Sequence, residues 1–108
     1  MLERSQSTQQ QARETIANGG VVIYWRPGCP FCERLDAHLG TLGDEATWVN
    51  IWEDPQAEAH VQSLNDGNST VPTVDTGDIS FVAASDKLRE RTAKLLRNVI
   101  EGKQAQQN

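Results

Sequence analysis

The 108-residue chain has only two cysteines, no excess of positive charge and no long apolar run. Two cysteines are too few for a four-cysteine zinc site, and His38 and His60 lack the short spacing that would complete a site of two cysteines and two histidines. The formal net charge of -5 argues against a nucleic-acid-binding protein, because phosphate contacts need a basic face. No apolar segment approaches the roughly 20 residues of a transmembrane helix.

The first residues also lack the basic-then-apolar order of a signal peptide. We therefore expect a cytoplasmic protein that contacts neither nucleic acid nor membrane. Thiols are kept reduced in the cytoplasm, where a cysteine pair is more often catalytic or metal-binding than a structural disulfide. The length allows one domain with one core.

The two cysteines, Cys29 and Cys32, lie two residues apart between contrasting segments. Residues 21–25 are a short apolar run rich in β-formers, and residues 33–39 have a helical pattern. A Cys-x-x-Cys motif at a strand-to-helix junction is typical of a thiol–disulfide redox site. We predict that Cys29 is the nucleophile, because the N–H groups of the first helical turn favour an anion. Cys32, about one turn later and more buried, would be the resolving thiol.

The residues beside the cysteines are expected to shape the site. Arg26, three residues before Cys29, would add positive charge. Pro30 has no N–H and so removes one donor from the neighbourhood of the thiolate. The Phe31 ring would form an apolar surface beside the Cys29 sulfur. Its spacing also predicts a place on the apolar face of the helix that follows Cys29.

The remaining pattern predicts further strands and helices. Residues 47–51 alternate and indicate a strand, and Asp54 followed by Pro55 starts a helix as N-cap and first helical residue. Residues 71–74 and 79–82 indicate two strands joined by a glycine-containing turn, which is typical of an antiparallel hairpin. A last helix would begin at Ser85 or Asp86 and end at Gly102.

The element order is therefore β-α-β-α-β-β-α. A β-α-β start requires a parallel pair, and the hairpin adds antiparallel strands. This order predicts an α/β protein of thioredoxin-like fold, with a four-stranded mixed sheet and helices on both faces. Residues 1–20 form a polar, glutamine-rich extension, either a helix ended by residues 18–20 or a frayed tail, and residues 102–108 form a polar tail.

A second informative segment, Thr70-Val71-Pro72, places a proline at the start of a predicted strand. Because proline cannot donate to the ladder, this position is unusual. A cis bond before Pro72 would turn the Val71 backbone outward to pair with an extended thiol substrate. An ordinary trans proline on an edge strand is the alternative, and the nearby cysteine motif favours the cis form.

Residues 24–32, with their Cys-Pro-Phe-Cys, resemble the active site of the dithiol glutaredoxins, and Thr70-Val71-Pro72 resembles that family's Thr-Val-Pro segment with its cis proline. Residues 50–55 and 65–74 are most similar to the mycoredoxin branch, whose members serve bacteria that use mycothiol in place of glutathione. The resemblance implies a glutaredoxin-like domain over residues 21–101. It does not include the N-terminal extension.

The resemblance implies a thiol–disulfide oxidoreductase without a bound cofactor, with a low-molecular-weight thiol as co-substrate. Typical glutathione-using members carry a Gly-Gly turn and an acidic pair after the fourth strand, whereas residues 81–86 here contain no glycine pair, which favours mycothiol. The expected partners are small-thiol mixed disulfides on proteins and a disulfide reductase, and the protein would be a monomer. The expected substrate-binding residues are Arg26, Pro30, Phe31, Thr70, Val71, Pro72, Ser85 and Asp86.

Two alternatives remain open. A thioredoxin-like dithiol reductase of protein disulfides would need both cysteines. An iron–sulfur or metal carrier would use Cys29, although Pro30 disfavours it by removing a backbone donor and stiffening the loop. Of the tryptophans, Trp48 and Trp52 are expected to pack in the interior, and Trp25 is expected to line the rim of the site.

Overall fold

Four short strands and four α-helices make up the computed structural model, which describes Leu2, Arg4 and residues 6–106. The strands are β1 (Val22–Trp25), β2 (Thr47–Asn50), β3 (Thr73–Asp75) and β4 (Ser80–Val82). The helices are α1 (Gln9–Ala17), α2 (Pro30–Leu39), α3 (Pro55–Leu64) and α4 (Asp86–Gln106), with a 3-10 helix at Gly40–Glu45. In this part of the chain, no helix is both long and apolar enough to cross a membrane.

The strands form one mixed sheet in the order β2-β1-β3-β4. β1 and β2 are parallel, whereas β3 is antiparallel to β1, and β4 is antiparallel to β3. The predicted parallel start and late hairpin are both confirmed, and with them the thioredoxin-like α/β fold.

The central strand β1 organises the core, since all four of its residues are buried. Successive side chains of a strand point to opposite faces of the sheet. The Tyr24 hydroxyl donates to Gln9 of α1, and its ring lies 5.7 Å from the ring of His60 in α3. Tyr24 therefore faces the layer of α1 and α3, and its neighbour Trp25 faces the opposite layer.

The N-terminal extension contains a capped helix, α1, rather than a frayed tail from residue 9 onward. The Thr8 side chain accepts from the Gln11 N–H, and the Gln11 side chain accepts from the Thr8 N–H, which forms a capping box. The Gln9 side chain is buried and accepts from Tyr24, and the Gln9 backbone N–H donates to Asp54 at 2.8 Å. These contacts attach α1 to both the sheet and the start of α3.

Asp54 and Pro55 begin α3 as the sequence predicts. The Asp54 carboxylate accepts from the Gln56 N–H at 3.0 Å as an N-cap, and its other oxygen accepts from Gln9. The bond from the Gln9 backbone holds the pKa of Asp54 below its usual range, with smaller contributions from the cap.

The last helix begins as expected and ends later than expected. The Ser85 hydroxyl accepts from the Leu88 N–H at 3.2 Å, so Ser85 caps α4. The predicted end at Gly102 is wrong, because Gly102 does not adopt the left-handed conformation that ends helices, and the helix continues to Gln106. The Lys103 ammonium contacts the Glu45 carboxylate at 2.8 Å in this last part.

We predict that Tyr24 makes the stability of the protein fall in alkaline solution. It is the only tyrosine, and burial raises the pKa of its phenol to about 12, whereas an unfolded chain would lose this proton near pH 10. The unfolded chain is therefore favoured as the pH rises from about 10 to 12. At neutral pH, Tyr24→Phe should lower the free energy of unfolding by about 1–2 kcal/mol, because the buried Gln9 oxygen loses its donor.

Urea unfolding of the wild type and Tyr24→Phe at pH 8 and pH 11 measures both effects. The stability advantage of the wild type should shrink at pH 11, because only the wild type carries the phenol. An advantage that stays the same at both pH values would contradict the prediction.

Candidate active site

The carboxyl end of β1 leads through a short loop to Cys29 at the start of α2. Gly28 has a φ of +73°, a left-handed conformation that glycine adopts without steric cost. Cys29 follows as the N-cap in an extended conformation, and Pro30 is the first residue of the helix, where its missing N–H leaves no intrahelical bond unmade. The local sequence thus turns the chain sharply and starts a helix directly at Cys29.

Cys29 and Cys32 are joined by a disulfide, and their Cα atoms lie 5.2 Å apart. The Cys32 N–H donates to the Cys29 sulfur at 3.2 Å, so this sulfur is itself the capping group of α2. A helix N-terminus carries partial positive charge. The arrangement therefore suits a thiolate on Cys29 when the disulfide is reduced.

Both cysteines are buried, while the backbone around them is partly open. Cys29 is 2% exposed and Cys32 is fully buried, and Gly28 and Pro30 beside Cys29 are exposed. The loop is accessible at Gly28 and Pro30, but the Cys29 side chain lies beneath its surface in this disulfide form.

The segment before β3 faces the cysteine pair. The predicted cis bond between Val71 and Pro72 is confirmed. The Val71 carbonyl oxygen lies 3.8 Å from the Cys29 sulfur, and both Val71 and Pro72 are buried, whereas Thr70 is exposed. The strand itself starts at Thr73 rather than at Val71, so the segment that faces the cysteine pair precedes the ladder.

Arg26 lies along its own loop and against Trp52. Its guanidinium donates to the Pro27 carbonyl at 3.0 Å and lies 5.7 Å from the centre of the Trp52 ring. The predicted interior position of Trp52 is wrong, because its side chain is 63% exposed, whereas Trp48 is buried as expected. Trp52 follows β2, where the Ile51 N–H still donates to the Trp25 carbonyl at 2.9 Å. Because this backbone pairing with β1 continues past the end of β2, Trp52 lies beside the loop that contains Arg26.

Phe31 is on the exposed side of α2. Its side chain is 43% exposed, so its predicted place on the buried face of the helix is wrong. Leu35 and Leu39 form that face, because one helical turn separates them and both are buried. The Arg34 guanidinium lies 5.4 Å from the centre of the Phe31 ring.

Ser85 and Asp86 are exposed at the start of α4. A hydrogen bond from Arg89 holds the pKa of Asp86 below its usual range, and the positive charge of Arg89 acts in the same direction. The hydrogen bond that the structure shows for Asp86 goes to Arg89 rather than to the cysteine pair.

Two buried nitrogen donors have no hydrogen-bond acceptor among the residues that the structure describes. They are the indole nitrogen of Trp25 and one guanidinium nitrogen, Nη1, of Arg89. Trp25 is only 5% exposed, so its predicted place on the rim is wrong, since β1 is covered on both faces. Among the residues that the structure describes, no three His, Cys, Asp or Glu side chains come together as metal ligands would.

Comparison with known proteins places this site in a family. The glutaredoxin family model matches residues 21–79, which include both cysteines and Pro72. Mycoredoxin 1 of Corynebacterium glutamicum, curated from two strains, is 40% identical over 58 residues, which are 54% of this chain and 71% of that protein.

Two solved structures are also similar. The crystal structure of the holo form of glutaredoxin C1 from Populus tremula x tremuloides has a TM-score of 0.54 at 21% identity, over 82% of this chain and 94% of that one, and shows the shared fold. The solution structure of glutaredoxin from Brucella melitensis has a TM-score of 0.48 at 29% identity, over 67% of this chain and 75% of that one. The family match and the curated relatives establish that the chain belongs to the glutaredoxin family, as a mycoredoxin-like thiol–disulfide oxidoreductase.

Proposed function

We propose that the protein reduces mixed disulfides between cytoplasmic proteins and a small thiol, with mycothiol as its co-substrate. The observation that carries the proposal is the position of the Cys29 sulfur at the start of α2, where the Cys32 N–H donates to it and the Val71 carbonyl faces it. We propose further that it acts as a monomer without a bound cofactor.

In the first step, the Cys29 thiolate attacks the small-thiol sulfur of the mixed disulfide. The bond between that sulfur and the substrate protein breaks, and the protein's cysteine leaves as a thiolate that takes up a proton. Cys29 now carries the small thiol. The N–H groups at the start of α2 favour the attacking thiolate over the neutral thiol.

Either of two steps then releases the small thiol. Cys32 can attack the Cys29 sulfur, which frees the small thiol and forms the Cys29–Cys32 disulfide. Over the two steps the dithiol of the protein is oxidised by two electrons, and the mixed disulfide is reduced. A second small thiol can attack instead, which frees Cys29 and yields the symmetric small-thiol disulfide. The disulfide of this structure corresponds to the product of the first route.

The substrate contacts of the proposal follow the surface around Cys29. Thr70, Val71 and Pro72 would hold the thiol from the facing segment, whose Val71 carbonyl lies 3.8 Å from the Cys29 sulfur. Arg26, Pro30 and Phe31 would hold it from the loop and the first turn of α2. Ser85 and Asp86 would contact the outer part of the thiol from the start of α4.

The choice of mycothiol is supported by the segment between β4 and α4. It has no glycine pair, and Ala83 is fully buried with its N–H bonded to the Pro72 carbonyl at 2.9 Å. The 40% identity to Mycoredoxin 1 supports the same choice.

We predict that Cys29→Ser abolishes the reduction of a mycothiol mixed disulfide, because no other thiolate lies at the helix start. Cys32→Ser should keep substantial activity if the second small thiol completes the cycle. The assay follows release of the substrate protein's thiol, with mycothiol or glutathione as reductant for the wild type and both variants. Full activity of Cys29→Ser would show that the nucleophile is wrongly assigned. Recycling by a thioredoxin reductase, with no response to either small thiol, would favour the dithiol-reductase alternative.

We also predict that the two cysteines of the reduced protein react with an alkylating reagent at different rates. Cys29 caps the helix as an acceptor of the Cys32 N–H, and it retains a little exposure, whereas Cys32 is fully buried. Brief treatment with iodoacetamide at neutral pH, followed by peptide mass spectrometry, should find the label mainly on Cys29. The fully unfolded chain is the control, since both cysteines should react alike in it. Preferential labelling of Cys32 in the folded protein would contradict the assignment.

A further inference from the structure

Two arginine side chains lie against exposed aromatic rings beside the cysteine pair. The Arg26 guanidinium is 5.7 Å from the centre of the Trp52 ring, and that of Arg34 is 5.4 Å from the centre of the Phe31 ring. Three large apolar side chains are exposed in the part of the chain that the structure describes, and Trp52 and Phe31 are two of them. We call these four residues the arginine–aromatic rim.

The rim lies at the end of the sheet where Cys29 lies. Arg26 leaves the carboxyl end of β1, and Trp52 leaves the carboxyl end of the parallel strand β2. Phe31 and Arg34 are three residues apart in α2, so they share one side of its first turns. The two arginine–ring pairs therefore frame the loop and the helix start that hold Cys29.

The charges of both rim arginines are available to a partner. Neither arginine has a carboxylate within ion-pair distance among the described residues, whereas Arg4 has two and Arg89 and Arg97 have one each. The chain has five more acidic than basic side chains, so it contains carboxylates that could have paired with Arg26 and Arg34. The rim instead presents its guanidinium groups on aromatic rings, at a surface where a substrate protein must approach.

We propose that the arginine–aromatic rim binds an acidic segment of the substrate protein that flanks its mixed-disulfide cysteine. This inference rests on the proposed function and names the class of protein substrate. Arginine binds carboxylates through paired N–H donors, and an aromatic ring beneath the guanidinium reduces the freedom that is lost on binding. A basic segment would be repelled by the same two charges. The overall acidity of the chain argues against a nucleic acid, which would contact more of the surface than the two rim arginines.

The test uses three peptides of equal length that carry the same cysteine–mycothiol mixed disulfide. Aspartates flank the cysteine in the first, lysines in the second and serines in the third. The wild type should show a kcat/KM about tenfold higher for the acidic peptide than for the basic one at low salt, because two exposed ion pairs replace two repulsions. The preference should nearly vanish near 1 M salt, where charges are screened beyond about 3 Å.

Arg34→Glu should bring the ratio of kcat/KM between the acidic and the basic peptide to about one or below. Arg34→Gln should remove about half of the logarithm of that ratio. The matched control is Arg91→Glu, which makes the same charge change. Arg91 also lies over a ring, that of Phe81 in β4, and β3 separates β4 from the strand that leads to Cys29. This control should keep the wild-type ratio.

The outcomes separate the two proposals. If the wild type reduces none of the three peptides, the proposed function itself is wrong. If it reduces all three with equal kcat/KM at low salt, or if Arg91→Glu changes the ratio as much as Arg34→Glu does, the function stands and the acidic-segment proposal is wrong. Circular dichroism and the mass-spectrometric detection of the Cys29–Cys32 disulfide confirm that each variant has folded around its site.

Discussion

The hydrogen bond from the Cys32 N–H to the Cys29 sulfur is the interaction on which the rest of the site depends. It makes a cysteine side chain the cap of α2, in a place that serine, threonine or aspartate usually takes. The local backbone is arranged to allow it: Gly28 turns the chain with a positive φ, and Pro30 occupies the first helical position. The same sulfur thus caps the helix and lies where the proposed nucleophile needs N–H donors.

The sheet brings a distant segment of the chain to the cysteine motif, which the local sequence cannot do by itself. Tyr24, near the end of β1, lies opposite Thr73, the first residue of β3. This antiparallel register brings the Val71 carbonyl to the Cys29 sulfur from 42 positions away in the chain. A slip by one residue would move every side chain of β3 to the other face and displace this contact. The geometry of the site therefore depends on the buried apolar residues that fix the register, such as Ile23 and its partner Val74.

The sequence predicts those features whose signals are local. The cysteine motif, the Asp54–Pro55 helix start and the glycine-containing hairpin turn each follow from residue types at fixed spacing, and the order of elements then restricts the fold. The exposure of Trp52 and the burial of Trp25 do not follow, because both are large apolar residues at strand ends, and only the packed layers decide which is covered. Similarly, Gly102 permits a helix end without requiring one, and α4 continues through it.

The arginine–aromatic rim acts at short range, and this limits what it can recognise. The protein carries net negative charge, and Glu33 and Glu53 directly neighbour rim residues in sequence. An acidic partner therefore experiences no long-range electrostatic attraction to the protein. Charges more than about 8–10 Å apart are largely screened at physiological salt. An extended chain covers that distance in about three residues. Carboxylates that benefit from Arg26 and Arg34 must therefore lie within about three residues of the substrate segment that contacts the rim. Under this proposal, recognition would depend on the local sequence of that segment rather than on the overall charge of the substrate.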